Sequence, residues 1–220
     1  MQKLIVIEGL DGSGKATQAA ELLASMQRRE MRVRKVSFPD YESRSSSLIK
    51  MYLNGEFGTH PDDVNAYAAS SFFAVDRYAS YKRDWAEDYK NGVIISDRYT
   101  TSNAIHQCSK LPEEEWDSFL DWLFDYEYRL LAIPKPDAVI YLRVDPEVSQ
   151  RLLKERYHGE DKRDIHEKDR QYLERCQRAA DYCCQKLGWQ VVECCEGGFM
   201  RSVEEIRKKV ISLIDFLPDD

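Results

Sequence analysis

Residues 9–17 have the sequence GLDGSGKAT, in which glycines and a lysine stand at the spacing of the phosphate-binding motif G-x-x-x-x-G-K. The apolar run at 4–7 is typical of a buried parallel strand, and the apolar spacing after the loop predicts a helix. In this context, backbone N–H groups and the helix N-terminus bind phosphate oxygens, while the lysine reaches the outer phosphates. The residues predicted to contact a nucleoside triphosphate are Gly9, Leu10, Asp11, Gly12, Ser13, Gly14, Lys15, Ala16 and Thr17.

The residue after the lysine departs from the motif. A Ser or Thr hydroxyl at that position binds Mg²⁺, but the chain has Ala16, whose methyl group cannot ligate a metal. Thr17 lies about 100° further round the helix and does not simply replace it. Either carboxylates and phosphate oxygens hold Mg²⁺, with Asp11 and Asp97 as candidate ligands, or the site is weakened.

The composition of the chain limits its size class and its partners. With 220 residues it fits one α/β domain spanning 1–220. A net charge of −7 argues against nucleic acid or an anionic membrane as a partner. The sequence begins Met1-Gln2-Lys3 and enters a strand directly, without a secretory signal or an apolar run that could span a bilayer, so we expect a cytoplasmic protein.

The cysteines and histidines do not show the spacing of a metal site. None of the six cysteines forms a C-x-x-C pair, and Cys176 and Cys183 fall on one helix face as small buried hydrophobes. The four histidines are also too scattered for ligands: His60, His106, His158 and His166. We interpret both residue types as packing, surface or pocket residues.

Apolar periodicity divides the chain into alternating strands and helices. Strands are predicted at 4–7, 32–37, 93–96, 137–142 and 189–194. Helices are predicted after the glycine loop and at 45–53, 61–89, 112–131, 164–187 and 202–217. This alternation predicts an α/β fold with a five-stranded parallel sheet and helices on both faces, which binds ligands at the carboxyl ends of its strands.

Two further segments carry charges suited to phosphate chemistry. Asp97 and Arg98 follow the third strand, where a Walker-B carboxylate orients Mg²⁺ or its waters. The segment 151–164 contains five cations and an internal glycine. We interpret this segment as a lid that closes over phosphates, although a solvated helix face would have a similar composition.

With these residues placed, the chain resembles the thymidylate kinases along nearly its whole length. The resemblance depends on four features: the glycine loop with Asp11, Phe38-Pro39 after the second strand, FAVDR at 73–77, and DRY at 97–99 with Ser102. It implies a P-loop nucleoside-monophosphate-kinase-like fold and transfer of the ATP γ-phosphate to dTMP, with ATP and Mg²⁺ as cofactors. It also implies a homodimer.

The resemblance also assigns roles to individual residues. Phe73 would stack on the thymine ring, Arg77 would contact the base, and Arg98 would bind the acceptor phosphate. The implied substrate-binding residues are Phe38, Pro39, Tyr41, Phe73, Arg77, Arg98, Tyr99, Ser102, Asn103, His106, Asp164 and Glu167. At His106 the family usually has a tyrosine that excludes a 2′-hydroxyl, which leaves deoxyribose selectivity open.

Catalysis would depend on charge neutralisation. The glycine loop contains no arginine, so the lid would supply the transition-state cation, with Arg151 as the first candidate. Another lid arginine, Arg163, is predicted to contact ATP. The predicted catalytic residues are Asp11, Lys15, Arg98, Arg151 and Arg156.

Two alternatives stay open at this point. A deoxynucleoside kinase shares the loop, the DR motif and the lid, but its hydroxyl acceptor needs a carboxylate base, for which Asp40 or Glu42 is available. From a different class, Ala16 would also fit a nucleotide-binding protein without turnover.

Overall fold

A parallel sheet lies at the centre of the computed structural model, which describes residues 2–156 and 170–214. The strands of this sheet are β1 (Lys3–Glu8), β2 (Val33–Ser37), β3 (Val93–Asp97), β4 (Ala138–Arg143) and β5 (Gln190–Glu193). Their order is β2-β3-β1-β4-β5, and every neighbouring pair is parallel. The predicted α/β fold with a five-stranded parallel sheet is confirmed.

Helices cover both faces of the sheet, as β1 shows. Ile5 packs with Leu22 on one face, whereas Val6 packs with Trp85 on the other, and all four side chains are fully buried. Burial on both faces of the sheet explains why residues 4–7 of β1 are all apolar. The helices are α1 (Lys15–Arg28), α2 (Ser47–Leu53), α3 (Ala66–Ser80), α4 (Ala86–Asn91), α5 (Thr100–Cys108), α6 (Trp116–Phe124), α7 (Pro146–Arg156), α8 (Arg170–Leu187) and α9 (Val203–Ser212).

The long helix predicted from Pro61 begins later than expected. Residues Pro61–Asp63 form a separate 3₁₀ turn, and α3 begins at Ala66 because the side chain of Asn65 caps it, accepting a hydrogen bond from the Ala68 N–H (2.9 Å). A π-helical turn at Tyr81–Trp85 then joins α3 to α4. The prediction of one continuous helix from Pro61 is wrong at its start.

Helix α5, helix α7 and a short hairpin were not predicted as elements. Helix α5 is buried on almost all sides and rich in polar residues, so it lacks the apolar stripe that marks an amphipathic helix. The short antiparallel strands β6 (Cys195–Glu196) and β7 (Phe199–Met200) form a hairpin after the sheet.

The carboxyl-terminal half follows the sequence pattern in part, because the helix predicted over 202–217 ends at Ser212. Cys176 and Cys183 are fully buried on α8, as predicted, and a capping box of Ser202 and Glu205 starts α9. The start of the helix predicted at 164–187 lies outside the described residues. No helix in the described part of the chain is long and apolar enough to cross a membrane.

Candidate active site

The carboxyl ends of three neighbouring strands meet at one edge of the sheet. Asp97 at the end of β3 lies in register with Ile7 of β1 and with Ser37 of β2. The loops that follow these strands therefore emerge side by side, at the edge where parallel sheets bind ligands.

The glycine loop between β1 and α1 depends on glycine at two points. Gly14 has φ +83°, a left-handed conformation that disfavours other residues, and it immediately precedes α1. A Cβ at Gly9 would lie 2.5 Å from Ser13 Oγ and 2.8 Å from the Leu142 carbonyl oxygen. The chain therefore turns sharply against β4 and enters α1 with its first backbone N–H groups at the sheet edge.

A cavity of about 920 Å³ lies against this loop. The predicted site residues that line it are Asp11, Gly12, Gly14, Lys15, Ala16, Thr17, Phe38, Pro39, Tyr41, Phe73, Arg77, Asp97, Arg98, Tyr99, Ser102, Asn103 and His106. Gly9, Leu10 and Ser13 shape the loop without lining the cavity. The folded chain thus brings residues predicted for the phosphate donor and for the acceptor to one cavity.

Lys15 is held inside the loop. Its side chain is 8% exposed, and its Nζ donates a hydrogen bond to the Leu10 carbonyl oxygen (2.8 Å) and lies 4.0 Å from Asp11 Oδ1. Burial, aided by the positive charge of Arg98, lowers the pKa of Lys15 to about 8. Lys15 is therefore a cation at neutral pH whose charge is not fully neutralised by a neighbouring carboxylate, as expected for a group that binds a polyanion.

Arg98 lies between carboxylates from β1 and the glycine loop. Its guanidinium forms an ion pair with Asp11, and Nη1 lies 3.7 Å from Glu8 Oε1. Burial lowers the pKa of Arg98, but the carboxylates of Asp11, Glu8 and Asp97 raise it above its ordinary value overall. The backbone of Arg98 has φ +65°, a left-handed conformation of a kind that clusters at functional sites.

Glu8 was not predicted as a site residue from the sequence. It is fully buried, and its carboxylate accepts hydrogen bonds from the Gly9 N–H (3.0 Å), Thr101 Oγ1 (2.6 Å) and Ser102 Oγ (2.8 Å). Glu8 thereby joins the start of the glycine loop to helix α5. An acidic residue that ends an apolar strand immediately before such a loop is the signal that could have revealed it.

Phe73 and Arg77 lie one helical turn apart on α3 and line the cavity. Arg77 is 2% exposed and forms a bidentate ion pair with Glu127. His106 on α5 is 8% exposed, and its Nδ1 lies 3.2 Å from the Tyr172 hydroxyl. Burial lowers the pKa of His106 to about 3, so its imidazole is neutral at physiological pH.

The loop after β2 is held by Asp76 on α3. The carboxylate of this 1%-exposed residue accepts hydrogen bonds from the Asp40 N–H (3.0 Å) and from Ser46 Oγ (2.9 Å). This fixes Pro39 and Tyr41, which line the cavity. Tyr99, in contrast, is fully buried, and its hydroxyl donates to the Pro134 carbonyl oxygen (3.0 Å), so its ring is mainly a packing group.

The predicted lid is described only in part. Arg151 lies on α7, where its Nη2 donates to the Gly198 carbonyl oxygen (3.2 Å) and its guanidinium lies 5.6 Å from the centre of the Phe199 ring. It does not line the cavity in this arrangement. Outside the described residues lie the side chain of Arg156 and all of Arg163, Asp164 and Glu167.

Several cavity residues carry no sequence motif: Ser37, Lys50, Leu53, Asn54, Gln107 and Leu152. Of these, Gln107 is fully buried, and both polar atoms of its amide lack a hydrogen-bond partner among the described residues.

Within 2–156 and 170–214, no three His, Cys, Asp or Glu side chains come together as a metal-binding cluster.

A glycine loop at the carboxyl edge of a parallel sheet, opening on a cavity with buried cations, defines a P-loop phosphotransferase. The family model for thymidylate kinase matches residues 7–197, and the chain therefore belongs to the thymidylate kinase family.

Individual relatives agree with this assignment. A thymidylate kinase of Mycobacterium tuberculosis (strain H37Rv) is 33% identical over 162 residues, covering 73% of each chain. A thymidylate kinase of Arabidopsis thaliana is 28% identical over 216 residues, covering 96% of this chain and 70% of its own. The fold matches a solved thymidylate kinase structure from Candida albicans with a TM-score of 0.71 at 22% identity, covering 97% of this chain and 91% of that one.

Proposed function

We propose that this chain transfers the γ-phosphate of ATP to the 5′-phosphate of dTMP, giving ADP and dTDP. The observation that carries the proposal is the shared cavity: Lys15, Arg98, Phe73 and Arg77 all line it. The glycine loop supplies a triphosphate site, whereas α3 supplies an aromatic ring and a donor suited to a base. The volume of the cavity, about 920 Å³, lies near the upper end of the range for ligand pockets.

The reaction needs charge neutralisation more than a general base. A phosphomonoester has a second pKa near 6, so the acceptor oxygen is largely deprotonated at pH 7. This oxygen attacks the γ-phosphorus, the bond to the β-phosphate oxygen breaks, and ADP leaves. Lys15 and Arg98, with the amides of the glycine loop, bind the phosphates of the two nucleotides and offset their repulsion.

The carboxylates of the site fit a magnesium ion. Asp11 and Asp97 line the same cavity as the loop, and in the described part of the chain no residue donates a hydrogen bond to the Asp97 carboxylate. Mg²⁺ is usually held by one or two carboxylates together with substrate phosphates and water, a set that does not require the hydroxyl missing at Ala16. When bound, the ion neutralises negative charge on the transferred phosphoryl group.

Ala16→Ser tests whether this metal site is complete. We expect the variant to change the apparent Mg²⁺ affinity and kcat by less than about threefold, because on this proposal carboxylate and phosphate oxygens supply the ligands without a hydroxyl at position 16. Titration of activity and of nucleotide binding with Mg²⁺ measures both quantities. Asp97→Asn is the control, with an expected loss of Mg²⁺ affinity of about tenfold or more. A tenfold gain in affinity in Ala16→Ser would show that the natural loop is incomplete.

A coupled ADP-release assay tests the proposed reaction. We expect ADP production with dTMP and little with thymidine, because Asp40 and Glu42, the candidate bases for a hydroxyl acceptor, do not line the cavity. Preference for thymidine would support a deoxynucleoside kinase. ATP binding without ADP release would support a protein without turnover. Adding dUMP, UMP and dGMP defines the substrate range and shows whether His106 permits a 2′-hydroxyl.

We further propose that the enzyme is a cytoplasmic homodimer that binds neither nucleic acid nor membranes. Tyr67, Val75 and Tyr78 of α3 are 37–40% exposed and offer apolar area for self-association. The net charge of −7 disfavours polyanionic partners. Sedimentation equilibrium of the wild type and of Val75→Glu tests the dimer, because a charge at a buried interface position would dissociate it.

A further inference from the structure

Glu127 lies behind the cavity, in the π-helical turn that follows α6. It is fully buried, and four hydrogen bonds reach its carboxylate: from Arg77 Nε (2.7 Å) and Nη2 (2.6 Å), from Thr100 Oγ1 (2.8 Å) and from Asn103 Nδ2 (3.2 Å). Three structural elements, α3, α5 and this turn, are therefore joined at one carboxylate. No sequence motif marks the position.

The ion pair leaves Arg77 with little freedom. Its Nε and Nη2 edge is used by Glu127, and its Nη1 lies 3.4 Å from the Tyr99 carbonyl oxygen, which is a long hydrogen bond. Nη1 is thus the weakly satisfied donor of a side chain that lines the cavity. The bidentate geometry fixes the plane of the guanidinium and hence the direction of that donor.

The pair also removes a charge from one part of the cavity. A buried guanidinium without a carboxylate would attract any anion strongly, because the protein interior screens charge poorly. Glu127 neutralises Arg77, and both of these side chains are at most 2% exposed, whereas the Arg98 side chain is 18% exposed and pairs with Asp11, which is itself 24% exposed. Glu8 and Asp97 add negative charge near Arg98, and both arginines line the same cavity. Phe73, Asn103 and the neutralised Arg77 together suit an uncharged planar ring that carries a carbonyl group.

We propose that Glu127 is a positioning residue that sets the orientation of the acceptor nucleotide. It turns Arg77 into a fixed, electrically neutral hydrogen-bond donor for a carbonyl of the base, so that the phosphate of the acceptor binds at Arg98 and not at Arg77. This inference rests on the proposed function.

A purely structural role would have different consequences. Replacing a buried ion pair by apolar residues is often neutral for stability, so stability alone does not account for a charged pair at this place. A structural role would lower the melting temperature and the active fraction, leaving both Michaelis constants unchanged. A positioning role changes the binding of the acceptor nucleotide selectively.

Glu127→Gln is the first test, because it keeps the shape and removes the negative charge. We expect the KM for dTMP to rise about tenfold or more, the KM for ATP to stay within about twofold, and kcat at saturation to fall by less than about threefold. Inorganic phosphate, competing with dTMP, should inhibit the variant several-fold more strongly than the wild type, because Arg77 then attracts an anion.

Thr100→Val is the second test, and it leaves all charges in place. Loss of one hydrogen bond to Glu127 should raise the KM for dTMP by about threefold with no change for ATP. The inference is overturned if the folded variants leave the dTMP KM and phosphate inhibition unchanged, or if both Michaelis constants rise equally. If the wild type binds ATP but does not phosphorylate dTMP, the proposed function is contradicted and not the inference about Glu127. The wild-type assay gives this result before any variant is made.

Discussion

We expect Arg98→Ala to lower kcat with dTMP by about 10²- to 10³-fold, the range seen when a charged or oxyanion-binding donor is removed from an active site. Arg98 is a partly buried cation that contacts Asp11 of the glycine loop and also lines the cavity beside Ser102. Without it, two polyanions must approach in line with one fewer compensating charge. Steady-state kinetics at saturating ATP and dTMP measure the effect.

Two further variants separate this effect from folding and from net charge. Arg98→Gly relieves the left-handed φ of +65°, so a loss of activity shared by both variants comes from the missing guanidinium and not from backbone strain. Arg34→Ala makes the same change in net charge at a guanidinium that pairs with Asp84 and Asp88 and does not line the cavity. We expect Arg34→Ala to keep full turnover. A kcat of Arg98→Ala within threefold of the wild type would refute the assignment.

Lys15→Met is expected to abolish turnover and to stabilise the nucleotide-free protein. The lysine reaches the outer phosphates in loops of this type, so its loss should lower kcat/KM by about 10³-fold or more. The depression of its pKa from 10.5 to about 8 corresponds to about 3 kcal/mol of destabilisation at pH 7. The Leu10 carbonyl oxygen loses its donor in the variant, so about 3 kcal/mol is an upper value for the gain.

The pH dependence identifies the source of this gain. In the unfolded chain Lys15 keeps its proton up to about pH 10.5, whereas in the folded chain it releases it near pH 8. Since the unfolded state binds more protons between these values, the stability of the wild type rises with pH across this window. In Lys15→Met this contribution is absent.

Denaturant unfolding of both proteins at pH 7 and pH 9.5 measures the difference, because all other titrating groups are shared. We expect Lys15→Met to be more stable at pH 7 and the gap to narrow at pH 9.5. Lys15→Arg is the matched control, since it keeps the buried charge but does not lose its proton in this range. A constant difference at the two pH values would contradict the argument.

The sequence by itself determined the elements whose signals are local. The glycine loop, its flanking strand and helix, and the Asp97-Arg98 pair at the end of a strand are each read from neighbouring residues. Alternating strands and helices then imply a parallel sheet, which places the loops after β1 and β3 at one edge. The position of the residues predicted to bind the phosphate donor follows from this order of elements alone.

Only the tertiary structure decided which distant side chains complete the site. Helix α5 has no apolar stripe because nearly all of it is buried, so periodicity could not reveal it, although it carries Ser102, Asn103 and His106 to the cavity. Glu127 is 50 residues from Arg77, and Glu8 is 93 residues from Thr101. Such long-range contacts produce no recognisable residue spacing in the sequence, since the residues become neighbours only when the chain folds. Their charges, burial and pKa shifts exist only after folding.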